Sequence, residues 1–314
     1  MSLERIQNPL PRSAMAATAS RRRPWRWIGA LLVPAVLAGC QGAAPTGLDA
    51  VSKRGTLRAL VVGADAPYSE KTDSGFQGLS VTVLDAIATE LNDTLEPAKP
   101  IKLKVESAAS AEDGLARIRS GEADIACGVA FSWKRQQEVD YTLPFAMGGV
   151  RLLAPAGNDG TPEALSGQKV GVVDGTVAAE KLRGLAPEAD YVSFATPKKA
   201  LAALQSGEIQ FLGGDSLWLK ANQKAVAPKS ELVPMVPYGR AGVGCIVAQS
   251  NPKLRILGSI AIGRLMQGYI DNDASAVNAI NRWVGPGSAV GLSPELISRY
   301  YTVVLSTVAE FAKS

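Results

Sequence analysis

The stretch Leu115-Ala-Arg-Ile118-Arg-Ser120-Gly121-Glu122-Ala-Asp-Ile125 returns 86 residues later as Leu201-Ala-Ala-Leu204-Gln-Ser206-Gly207-Glu208-Ile-Gln-Phe211. Apolar residues three apart mark the last turns of a helix with one buried face. The glycine that follows supplies the left-handed residue that ends such a helix. A short apolar strand comes next. One copy predicts a helix-to-strand passage; two copies predict two α/β lobes built alike.

The flanking segments extend the pattern. Leu57–Gly63 and Ile101–Val105 are predicted strands around a helix at Leu79–Leu91, which makes a β-α-β unit and a parallel sheet. The second half repeats the scheme: strand Lys169–Val173, helix Thr176–Leu182, strand Tyr191–Phe194, helix Pro197–Ser206, strand Gln210–Leu212 and helix Asp215–Lys224. The chain then returns through Val243–Ala248, and helices Pro252–Gly268 and Ala274–Trp283 are expected to pack on the first lobe. Open α/β sheets bind ligands at the carboxyl ends of their strands, so two facing lobes imply a cleft between them.

The N-terminus reads as an export address. Arg21-Arg22-Arg23-Pro24-Trp25-Arg26 is a basic segment, and Ile28–Ala38 is an apolar run of signal-peptide length. It ends in Leu37-Ala38-Gly39-Cys40, which resembles the bacterial lipobox and marks Cys40 for lipidation. Residues 1–39 are the expected signal peptide and 40–52 a flexible tether rich in Gly, Ala, Pro and Thr.

Charge and composition narrow the function. The chain of 314 residues carries a formal net charge of +4. Arg5, Arg12, Arg21, Arg22, Arg23 and Arg26, against Glu4, account for more than that whole excess. The remainder has no basic field, which argues against a nucleic-acid partner. The sequence has no histidine. Ser-His-Asp and Cys-His nucleophiles and most zinc sites are thereby excluded, and no cofactor or metal is called for. Cys127 and Cys245 lie in apolar, strand-like runs. The simplest reading is two small buried hydrophobes; a disulfide, which export permits, is the alternative.

Further blocks carry a family resemblance between about Arg54 and Gly285. They are Arg54-Gly-Thr-Leu-Arg58, Gly78-Leu-Ser-Val-Thr-Val-Leu-Asp-Ala-Ile-Ala88, Ser120-Gly-Glu-Ala-Asp124, Ser132-Trp-Lys-Arg135-Gln-Gln-Glu-Val-Asp140-Tyr-Thr-Leu-Pro144-Phe145, Leu165-Ser-Gly-Gln-Lys-Val-Gly-Val-Val-Asp-Gly175-Thr176, Asn251-Pro-Lys-Leu254 and Arg282-Trp283. In order and spacing they resemble the family-3 bacterial extracellular solute-binding proteins, the polar amino-acid group. The resemblance implies an α/β, two-lobed periplasmic-binding-protein-like fold of type II. Each lobe would hold a mixed, mainly parallel sheet flanked by helices. Lobe 1 is expected at 53–150 and 243–292, and lobe 2 at 151–242.

The resemblance also implies site roles. Arg135 matches the arginine that clamps a ligand α-carboxylate, a task suited to a rigid, permanently charged fork. Ser132 matches a hydroxyl residue that joins this contact, and Gly128 a backbone site just upstream. Gly175 and Thr176 match a helix N-terminus that meets the same carboxylate. Asp215 matches the aspartate that receives the ligand ammonium. Asp65, Tyr68, Trp133 and Trp218 are further candidates for the cleft. Ala130 replaces the usual threonine or serine, Ser80 and Thr82 replace the usual acids of the first helix, and Ser107–Glu112 lacks the aromatic that often covers the ligand.

The implied function is extracytoplasmic binding of a small amino-acid-like or carboxylate ligand by hinge closure, with no chemistry performed. The protein would act as a lipid-anchored monomer delivering to an ABC permease. One alternative is an orphan receptor or interaction protein on the same fold. The other is a periplasmic dehydratase-like enzyme, for which Glu70 and Glu112 are the only acid candidates.

One segment exceeds the family pattern. Ser293-Pro294-Glu295 has the chemistry of a helix start. Leu296, Ile297, Tyr300, Val304, Val308 and Phe311 follow at helical spacing. A helix over 293–314 packed on lobe 1 is expected, with a partner-docking helix as the alternative.

Overall fold

The computed structural model describes residues 47–63 and 65–312; the expected signal peptide and Cys40 lie outside them. Helix α1 (Leu48–Arg54) opens the folded chain and buries Leu48 and Val51. Residues 48–52 therefore belong to the core and not to the tether expected from their small and polar neighbours. Two apolar side chains three apart were enough to seat about two turns on the sheet.

Strand β1 (Thr56–Val62) follows, then a hairpin of β2 (Glu70–Thr72) and β3 (Gly75–Gln77), then helix α2 (Leu79–Leu95). Helix α2 buries Leu79, Val83, Leu84, Ile87 and Leu91, the stripe its spacing predicts. Its N-terminus fixes the loop before it: Leu79 N–H donates to Pro67 O at 2.9 Å and Ser80 N–H to Tyr68 O at 2.8 Å. A β-carbon on Gly78 would collide with the Tyr68 carbonyl, so only glycine permits this approach.

Strand β4 (Lys102–Ala108), helix α3 (Ala111–Arg119), strand β5 (Ile125–Ala130), the short helix α4 (Trp133–Gln136) and strand β6 (Asp140–Tyr141) complete the first pass. Strand β7 (Ala146–Pro155) then runs from one lobe into the other. The second lobe contains α5 (Pro162–Leu165), β8 (Lys169–Val173), α6 (Val177–Leu185), β9 (Asp190–Phe194), α7 (Pro197–Ser206), β10 (Phe211–Asp215), α8 (Ser216–Val226) and β11 (Ser230–Val233). Strand β12 (Arg240–Val247) carries the chain back to α9 (Pro252–Ile270), α10 (Ala274–Asn281) and α11 (Pro294–Ala312).

The strands run in the order β4-β1-β5-β12-β7-β10-β8-β9. The pairs β1–β4, β1–β5, β8–β10 and β8–β9 are parallel, while β12 and β7 are antiparallel to their neighbours. Strand β7 changes partner midway: Ala146–Gly149 pair with β12, and Val150–Leu153 pair with β10. The two repeated segments end alike, with Gly121 and Gly207 both in the left-handed region at φ 73° and 79°.

Cys127 and Cys245 face each other across β5 and β12 and form a disulfide, so the simpler reading of two free thiols is corrected. Antiparallel pairing makes them direct neighbours, a relationship 118 residues of sequence conceal. Helix α11 buries Ile297, Tyr301 and Val304 in the core that also holds Leu254 and Ile262 of α9. Its buried face is offset from the expected one: Leu296 is 52% exposed and Val308 is exposed as well. Among the described residues, no helix is long and apolar enough to cross a membrane.

Candidate functional site

The carboxyl ends of β1, β4 and β5 face those of β8, β9 and β10 across a cavity of ≈ 180 Å³, with Gly148 and Val150 of β7 and Val243 of β12 between them. Asp65, Tyr68, Gly128, Ala130, Arg135, Gly175, Thr176 and Asp215 all line it. Ser132 does not line it; its hydroxyl accepts from Arg135 N–H at 3.2 Å and caps α4. It positions the arginine instead of reaching the cavity. Trp133 also departs from expectation: it is 77% exposed and stacks edge-on against Phe131. Trp218 is buried in the second-lobe core and does line the cavity.

Asp215 ends β10 and caps α8. Its Oδ1 accepts from Leu217 N–H at 3.0 Å, Trp218 N–H at 3.1 Å and the Tyr68 hydroxyl at 3.0 Å. Burial is the largest influence on the carboxyl and pushes its pKa up, against these three donors. Among the described residues, Asp215 has no cationic partner, and Oδ2 accepts no hydrogen bond. Oδ2 lies against the backbone of Gly148, where a β-carbon would land on it. Asp65 is half-buried, and burial raises its carboxyl too, with Lys198 pulling the other way.

Arg135 is 7% exposed. Its Nη1 donates to Ala130 O at 2.9 Å, and its Nη2 donates to Glu112 Oε1 and to Gly175 O, both at 2.8 Å. The guanidinium thus ties the first lobe to the second and is already paired with an acid. Glu112 sits in the first turn of α3, which Ser110 caps by accepting from Asp113 N–H at 3.1 Å. Thr176 caps α6: its hydroxyl accepts from Ala179 N–H at 3.1 Å and donates to Val173 O at 2.7 Å. Ser80 Oγ is buried below Gly128 without a hydrogen-bond partner, 3.0 Å from where a β-carbon on that glycine would lie.

Two features of the site escaped the sequence. Glu112 was legible only as a loose acid, and Gly148 carried no signal because its role is a contact with a residue 67 positions away. Glu70, the other acid considered for catalysis, is exposed on the β2–β3 hairpin and accepts from Gln77. Among the described residues, no cluster of three His, Cys, Asp or Glu is arranged to hold a metal ion.

The model of the bacterial extracellular solute-binding proteins, family 3, matches residues 57–300, most of the chain. This protein is a member of that family. The family-3 protein is 32% identical over 144 residues to the L-cystine-binding protein TcyJ of Escherichia coli K12, covering 43% of this chain and 50% of that relative. It is 27% identical over 132 residues to the ABC transporter arginine-binding protein 1 of the same organism, covering 40% of this chain and 54% of the relative. The chain thus spans about half the length of these relatives. The family-3 fold is also that of the ancestral amino acid-binding protein AncCDT-1, a precursor of cyclohexadienyl dehydratase. The TM-score is 0.62 at 22% identity, over 75% of this chain and 98% of that one.

Proposed function

We propose that this family-3 protein binds a small amino-acid-like solute between its lobes and hands it to an ABC permease without altering it. The observation that carries this reading is Asp215, a desolvated carboxylate with one unpartnered oxygen at the wall of the cavity. A buried charge without a counter-charge is costly, and a ligand ammonium supplies one. Tyr68, Asp65 and the backbone around Gly128 and Ala130 surround that ammonium, and the far end of the ligand points toward Arg135, Gly175 and Thr176. Three contacts already span the lobes: Tyr68 to Asp215, Arg135 to Gly175 O, and Asn222 to Ala66 O at 3.2 Å. A solute completing this set favours the closed form, which a permease then reads. The relatives that bind cystine and arginine support an amino-acid-like solute.

We assign Cys40 as the lipidated first residue of an exported protein, held at the membrane by its acyl chains and otherwise monomeric. Cys40→Ser is expected to move the protein from the membrane fraction to the soluble one.

A thermal-shift screen of amino acids, amines and small carboxylates tests the binding function. A ligand at 100 times its dissociation constant stabilises by about 2.7 kcal/mol, which is readily measured. If no solute of any class shifts the transition, the binding reading falls. A receptor without transport is the second reading, favoured by the pairing of Arg135 with Glu112 in place of a ligand; permease and ATPase genes beside this one would count against it.

A further inference from the structure

Resting on the reading of this cavity as the solute site, we propose that the preferred ligand is an organic cation without a free carboxylate, an amine or guanidine of amino-acid side-chain size. A zwitterion needs two seats. The cation seat is Asp215, whose Oδ2 accepts no hydrogen bond. The anion seat, between Arg135 and the start of α6 at Gly175, is already taken by the half-exposed side chain of Glu112.

The geometry of that filling is specific. Glu112 Oε1 accepts from Arg135 Nη2 at 2.8 Å, and its Oε2 lies 2.5 Å from where a β-carbon on Gly175 would sit. Nη2 spends its other N–H on Gly175 O, and Nη1 donates to Ala130 O. The backbone that carries Glu112 is held in place, because Ser110 caps α3 and Asp113 Oδ2 accepts from Ala109 N–H at 2.9 Å.

The charges lining the cavity agree. Asp174 is paired with Arg183 at 2.9 Å, and Arg135 with Glu112. That leaves Asp65 and Asp215 without an ion-pair partner among the described residues. Lys198 acts on Asp65 only at a distance and does not line the cavity. A dication satisfies both acids. A zwitterion would bring a third unpaired carboxylate beside Glu112, with no free cation to meet it. Val62, Ala111, Val150, Val173 and Trp218 line the remaining wall and suit an aliphatic chain.

Calorimetry on the purified protein with matched probes decides the matter: arginine against agmatine, and lysine against cadaverine. Each second compound is the first without its carboxylate. In whichever pair binds, the carboxylate-free member is expected to bind about tenfold tighter or more, the worth of one charge-assisted contact. Glu112→Gln keeps the shape of the side chain at a half-exposed position and removes the negative charge that neutralises Arg135, so the preference is expected to shrink or reverse. Equal or tighter binding of the amino acids by the unaltered protein overturns the proposal, as does a ratio unchanged in Glu112→Gln. Those outcomes leave the binding function standing, whereas silence from all four probes and from the wider screen removes both.

Discussion

Tyr68 of the first lobe donates its hydroxyl to Asp215 of the second across 3.0 Å. This bond does two things at once. It steadies a carboxylate that burial disfavours, and it links the lobes on the wall of the cavity. Tyr68→Phe keeps the ring and removes both. A hydrogen bond to a charged group contributes about 1.5–3 kcal/mol, so solute affinity is expected to fall by roughly ten- to a hundredfold. Calorimetry reads that loss. An unchanged affinity would mean that the hydroxyl is incidental to the bound state.

The acids of the cavity predict a pH response of definite sign. Burial raises the carboxyls of Asp215 and Asp65 above the usual aspartate value. Binding a cation requires them ionised, so affinity is expected to weaken on acidification, starting above pH 3.8. The ligand-free fold responds oppositely at these two groups. Their contribution is fully present below the unfolded value and is lost as pH rises through the raised folded value. Titrating affinity from pH 7 downward tests the first half; Asp215→Asn should abolish binding of a cationic probe and flatten the profile.

Gly148 sits where it does because Asp215 Oδ2 occupies the space a side chain would take. Gly148→Ala must displace either the carboxylate or strand β7. Binding is expected to drop by well over tenfold. Circular dichroism should show an intact fold, since β7 is held by β12 along its first half and by β10 and β11 along its second. Full affinity in this variant would show that the carboxylate has room the structure does not reveal.

The Cys127–Cys245 disulfide closes a loop of 118 residues inside the first-lobe sheet. Cross-links of this kind contribute about 2–5 kcal/mol. Reductant, or Cys127→Ala with Cys245→Ala, is expected to lower the melting temperature by several degrees. A transition insensitive to reductant would show that the thiols are free in the native protein.

Helix α11 offers a paired control on its own packing. Ile297 is 4% exposed and Leu296 is 52% exposed. Ile297→Ala should cost about 2–5 kcal/mol, while Leu296→Ala should stay within about 0.5 kcal/mol. Chemical denaturation separates the two. Similar small effects would mean that α11 is not an integral part of the first-lobe core.

Much of the architecture was legible because it rests on local rules. The Ser-Gly-Glu repeats set two helix ends, and Gly121 and Gly207 take the left-handed conformation such an end requires. Ser132, Thr176 and Asp215 cap helices, as their residue types suggest. Helix α1 was missed because the Gly- and Ala-rich stretch before it hides two side chains that matter only once a core exists to receive them.

The sequence by itself determined two α/β lobes, the absence of histidine chemistry and a set of residue types suited to a charged small solute. These follow from periodicity, capping and composition, which act over a few neighbouring positions. Only the tertiary structure decided that Glu112 meets Arg135, that Asp215 rests on Gly148, and that Cys127 meets Cys245. Each is a contact between strand or helix ends far apart in the chain. Which acid finds which base is fixed by how two sheets face each other, and no local pattern encodes that.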